Sequence, residues 1–132
     1  MTRYRTIIAG LCAVFCTGCF PGNPPPAPTV GQSKLFEDVP MMAGFAYQGD
    51  GSFLHVGKQR MCVLKYSGKA DMLAVVKYYK DSMQANKWEH KTTMGIDPII
   101  MQFNKAEEMA LVVVQKLKAG EISLIIQISP KE

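Results

Sequence analysis

Long apolar runs are missing from this 132-residue chain. The N-terminal one, from Ile7 to Phe20, spans 14 residues, short of the roughly 20 that a helix needs to cross a hydrocarbon core ~30 Å thick. A permanent transmembrane helix is not expected. An excess of one charge is missing too. Setting Arg3 and Arg5 aside leaves 13 lysines and arginines against 11 acids, and the lysines at 58, 65, 77, 91, 105 and 118 are scattered among those acids. A nucleic-acid binder would gather its positive charge on one face or one helix, so no nucleic-acid partner is expected. Histidine is limited to His55 and His90, with no i, i+4 pair for a metal. Gly-rich phosphate loops, the Gly-x-Ser-x-Gly elbow and His-Glu-x-x-His are all absent. No internal repeat is present.

What the chain does have begins at its N-terminus. MTRYR carries two positive charges, and TIIAGLCAVFCTG follows as an apolar run ending in small residues, the order of a secretory signal peptide. At Cys16-Thr17-Gly18-Cys19 the sequence resembles the lipobox of bacterial lipoproteins. Cys19 is the candidate lipidation site because it follows the small Gly18, whereas Cys12 follows Leu11 and Cys16 follows Phe15. Cys16 itself departs from the leucine usual in the family. The resemblance covers about the first twenty residues. It implies a diacylglyceryl thioether and N-acylation on Cys19. Several acyl chains, at ~0.8 kcal/mol per buried CH₂, make a durable membrane anchor. Phe20 stands where an inner-membrane retention signal would place Asp, which implies an outer-membrane lipoprotein of the cell envelope facing the periplasm.

The following stretch, PGNPPPAPTVGQS, holds Pro24, Pro25, Pro26 and Pro28 and favours an extended spacer at ~3.1 Å per residue. A Pro-rich ligand for a partner domain is its sharper alternative. The expected organisation is therefore a signal peptide over 1–18, a lipidated Cys19 and Pro-rich tether over 19–34, and one compact domain over 35–132.

Within that domain, KADMLAVVKYYKDSMQAN places Met72, Val75, Val76, Tyr79 and Met83 on one helical stripe, predicting an amphipathic helix from Ala70 to Ala85. Asp71 suits its first turn, Lys87 its C-terminal dipole, and Asn86 the left-handed stop position. GFAYQ and SFLHV flank the turn signal Gly49-Asp50-Gly51, and QRMCVLKYS, KWEHKTT, PIIMQFN, MALVVVQKL and EISLIIQIS complete the strand candidates. In the last, Ile122, Leu124, Ile126 and Ile128 alternate with Ser123, Ile125, Gln127 and Ser129, a sheet with one buried face. The expectation is an α+β domain: a curved antiparallel sheet of about five to seven strands packed on a single helix. A helix ending in Met83 to Trp88 and followed by a strand meander resembles small uncharacterised envelope lipoproteins, a likeness that brings no site with it.

Candidate chemistry is sparse. Once the signal is removed and Cys19 acylated, Cys62 is the remaining cysteine, which excludes an intramolecular disulfide. Cys62 shares a face with Leu64 and Tyr66 and reads as a small core residue; a reactive thiol or an intermolecular disulfide is the alternative. The methionines at 41, 42, 61, 72, 83, 94, 101 and 109 admit a copper(I) site, but those on the helix stripe and inside strands, Met61 and Met101 among the latter, read as core. Glu37-Asp38 and Glu107-Glu108 read as solvated loop charges. Tyr79 reads as core, while Tyr78 and Trp88 at the helix end are the candidate partner or ligand contacts. No metal site and no cofactor is expected, and catalysis is not, since His55 or His90 as the base of a hydrolase has no visible triad partner. The function expected is a non-enzymatic, membrane-anchored module that binds another envelope protein as an assembly or accessory factor. The alternative is a small ligand or copper(I) held between helix and sheet.

Overall fold

The computed structural model describes residues 36–132. The expected signal peptide, Cys19 and the whole of the Pro-rich tether lie outside the described residues. Seven strands and one α-helix follow in the order β1 (Ala46–Tyr47), β2 (Ser52–Val56), β3 (Gln59–Lys69), α1 (Met72–Ala85), β4 (Glu89–Met94), β5 (Ile99–Lys105), β6 (Glu108–Lys116) and β7 (Glu121–Pro130). All pairings are antiparallel, so the α+β class with an antiparallel sheet holds.

The sheet runs β1-β3-β7-β6-β5-β4, with β2 also on β3. GFAYQ and SFLHV do not form a hairpin with each other. Both lie along the same side of β3, Ala46 and Tyr47 opposite Ser67 and Tyr66, and Ser52 to Val56 opposite Val63 to Gln59. They are one edge strand interrupted at 48–51. The true hairpin turn is Gly57-Lys58, where Gly57 takes a positive φ of 61° that glycine adopts without strain.

Helix α1 begins at Asp71, whose side chain accepts a hydrogen bond from the Ala74 amide, so the acid is the cap and not a first-turn residue. Its other end departs from expectation. Asn86 sits at φ −92°, and the left-handed residue is Lys87, at φ 68°. The amides of Lys87 and Trp88 donate to the carbonyls of Gln84 and Met83 at 2.9 and 3.0 Å, the paired bonds of a Schellman stop. That motif tucks the residue after the left-handed position against the helix's last turn. Here it is Trp88, buried with Met83. Burial of the indole selects the stop position over the local preference of asparagine.

Met72, Val75, Val76, Tyr79 and Met83 join Cys62, Leu64 and Tyr66 of β3, Ile99, Met101 and Phe103 of β5, Ala110, Val112 and Val114 of β6, and Ile122, Leu124, Ile126 and Ile128 of β7 in one core. The helix contacts β4 and β6. Six strand positions ~4.8 Å apart span about 24 Å, whereas a helix with its side chains is ~10 Å wide. One helix cannot cover that face. The chain from Phe36 to Phe45 forms a strap over the β2–β3 side: Phe36 meets Phe53 edge-on at 5.5 Å, Val39 and Phe45 are buried, and Met41 and Met42 pack alongside. Gly68 admits it, since a Cβ there would stand 2.6 Å from the Gly44 carbonyl oxygen.

Candidate functional site

Four charged groups meet where the strap crosses the end of the core. Arg60 on β3 and Lys105 and Glu108 at the β5–β6 turn share the inward parity of Cys62, Phe103 and Ala110, and Asp38 comes to them on the strap. Arg60 is bidentate to Asp38, its two terminal nitrogens at 2.8 and 2.7 Å from the carboxylate oxygens. Its Nε and one terminal nitrogen also reach Glu108 at 2.9 Å each, and Lys105 Nζ stands 2.7 Å from Asp38. Burial pushes the Asp38 carboxyl up, but the hydrogen bonds from Arg60 and Lys105 outweigh it and hold it below the usual carboxylate range. Arg60 is held well above its ordinary value by its bond to Asp38, against the opposing effect of burial, with Glu108 adding to the rise. Glu37-Asp38 and Glu107-Glu108 are thus not simply solvated pairs: the second acid of each turns inward to the same guanidinium. The shared guanidinium and the Lys105 ammonium thus fasten the strap to β3 and to the β5–β6 turn.

Trp88 lies under this cluster. It is 1% exposed, its Nε1–H donates to the Asp38 carbonyl at 2.9 Å, and Arg60 and Lys105 sit 5.9 and 5.5 Å from its ring centroid. Tyr78 is half-buried and donates its hydroxyl to the Met41 carbonyl at 2.8 Å. The two residues expected as contacts therefore both hydrogen-bond the strap, Tyr78 from the middle of α1 and Trp88 from just beyond its end.

The other residues singled out in the sequence are dispersed. Cys62 is buried, and desolvation pushes its thiol up to about 11, away from thiolate chemistry. His55 lies on edge strand β2 and His90 on the opposite edge strand β4, where its Nε2 is 2.8 Å from Thr93 Oγ1. Among the described residues no three His, Cys, Asp or Glu side chains gather as metal ligands. Met72, Met83 and Met101 fill the core. Met61 does not: it faces outward, 50% exposed, because its parity is opposite to that of Cys62.

The outer face of the sheet went unrecognised in the sequence. Cross-strand pairing aligns Ile125, Val113, Ile100 and Met94 in one row and Val63, Gln127, Leu111 and Gln102 in the next. Leu54 and Met61 extend the apolar surface to the β2 edge. Ile125, Val113, Leu111, Ile100 and Val63 are only partly covered, and Met94 and Leu54 are 52% and 55% exposed. The signal was present in Leu111-Val112-Val113-Val114 and Leu124-Ile125-Ile126, runs apolar at both parities where a face turned to water would alternate. Beside these rows a groove of about 700 Å³ is lined by Met61, Met109, Gln102 and Asn104.

No family model, curated protein or solved structure matches the chain. Its functional reading rests on its own residues.

Proposed function

We propose that this chain is a membrane-anchored lipoprotein of the bacterial envelope that binds another envelope protein, without catalysis, through the outer face of its sheet. The anchor is inferred from the charged, apolar and small-residue order that ends at Cys19, and the Pro-rich spacer would hold the domain off the bilayer. Among the described residues no helix is long and apolar enough to cross a membrane. The observation that carries the binding function is the apolar row Ile125, Val113, Ile100 and Met94 on a face that neither α1 nor the strap covers. Contiguous exposed apolar surface of this kind is characteristic of protein contacts.

Crosslinking in intact cells followed by mass spectrometry tests it. A recurring envelope protein is expected, and a Val113→Thr/Ile125→Thr double variant, which keeps strand propensity while removing apolar surface, should lose it. Equal crosslinking by variant and parent would place the contact elsewhere. A second reading is copper(I) binding in the outer groove, where Met61 and Met109 line the wall from the strands on either side of β7. Equilibrium dialysis against copper(I) that retains no metal removes it.

A further inference from the structure

The two edges of the sheet are built differently. On β4, Glu89 and Lys91 form an ion pair at 2.6 Å, and a register shift between His90 and Thr92 interrupts the pairing with β5. Charge and irregularity of this kind stop a sheet from recruiting further strands. On the other edge, β1 is guarded by Gln48, whose Nε2 donates to the Ala46 carbonyl at 2.9 Å. Strand β2 has no such device. Its sequence, SFLHV, contains no lysine, acid or proline, all five residues are exposed, and among the described residues its only paired neighbour is β3.

The stretch around β2 is also complementary to itself. In Asp50-Gly51-Ser52-Phe53-Leu54-His55-Val56-Gly57-Lys58, reversal about Leu54 matches Gly51 with Gly57, Phe53 with His55 and Asp50 with Lys58. An antiparallel pair of identical strands is related by a two-fold axis, so reversal is the relevant operation. With Leu54 on the axis, each Leu54 meets its symmetry mate and each Phe53 faces His55 of the second copy. Phe53 and His55 already stack within one chain, with ring centroids 6.4 Å apart and planes 10° from parallel, so the four rings would form one ladder. Ser52 then faces Val56 of the second copy, and no like charges oppose within the paired strand; the Asp50 carboxylate, bound by Lys65 of its own chain at 2.7 Å, lies beyond it.

We propose that β2 is a homodimerisation edge at which two copies pair antiparallel about Leu54, joining their sheets into one of twelve strand positions. The inference goes beyond the partner-binding reading and stands or falls apart from it, because it uses the edge of the sheet and not its outer rows.

The register is tested by cysteine placement in the full chain. Opposed residues of an antiparallel pair have Cα atoms ~4.5–5.5 Å apart, within disulfide range, while two copies of residue 56 would be separated by about 13 Å along the strands. On mild oxidation L54C should give a disulfide-linked dimer above the level of the unsubstituted chain, and V56C should not. In parallel, L54K places two ammonium groups on the axis and should weaken dimerisation about tenfold or more by light scattering, with thermal unfolding of the domain unchanged. A monomer at every concentration, a dimer indifferent to L54K, or V56C crosslinking as readily as L54C would overturn the proposal.

Discussion

Asp38 shows what a single side chain does in this domain. Its carboxylate ties the strap to β3 through Arg60 and to the β5–β6 turn through Lys105, while its carbonyl accepts from Trp88. Asp38→Asn keeps the shape and removes the charge. Because the side chains of Asp38 and Arg60 retain 22% and 12% of their exposure, a cost of about 1–3 kcal/mol is expected, below that of a fully buried pair, and denaturant unfolding would measure it. The same group sets a pH dependence. A carboxyl whose pKa is lowered on folding binds fewer protons in the native state, so its stabilisation is present above the ordinary value of 3.8 and is lost as pH falls through the lower folded value. Acid unfolding followed by the fluorescence of Trp88, the one tryptophan of the chain, should steepen below about pH 4, and Asp38→Asn should flatten that part of the curve. None of this was legible in Glu37-Asp38, because a carboxylate's partner on a strand 22 residues away is set by the path of the strap.

Among the elements, the helix was the most legible. Five apolar residues at helical spacing gave its face, and all five are buried. Its ends depend on neighbours to different degrees. The start is a local matter: Asp71→Ala removes one bond to the Ala74 amide and should cost about 1 kcal/mol. The stop is tertiary, since burial of Trp88 puts Lys87 at a positive φ. Lys87→Gly relieves that strain at an exposed site and should stabilise the protein by about 0.5–1 kcal/mol, visible as a rise in thermal midpoint. The strap was the least legible element. Val-Pro-Met-Met-Ala-Gly-Phe has no regular period, and only contact with β3 and α1 gives it a course. Gly68→Ala would press a methyl group against the Gly44 carbonyl and should loosen the strap, read as faster proteolysis ahead of Phe45 in a domain whose sheet remains folded.

At the scale of the whole molecule, the two faces of the sheet have different fates. The inner one is sealed by α1 and the strap, with the Asp38, Arg60, Lys105 and Glu108 cluster closing one end. The outer one keeps its apolar rows accessible. If the tether from Cys19 presents that face to an envelope partner, pairing of two domains along β2 would double it, giving two partner sites in one assembly. The double variant Val113→Thr/Ile125→Thr should therefore lose the partner while remaining dimeric, and L54K should lose the dimer while each domain keeps the row of Ile125, Val113, Ile100 and Met94. In-cell crosslinking compared across the two variants separates these losses.

The sequence by itself determined the class of the domain, its helix and most of its strands, because periodicity and turn residues are written along the chain. Only the tertiary structure decided which side of the sheet stays open, which acids turn inward, where Trp88 goes and which edge is left unguarded. Those depend on groups far apart in sequence meeting across a surface one helix is too narrow to cover.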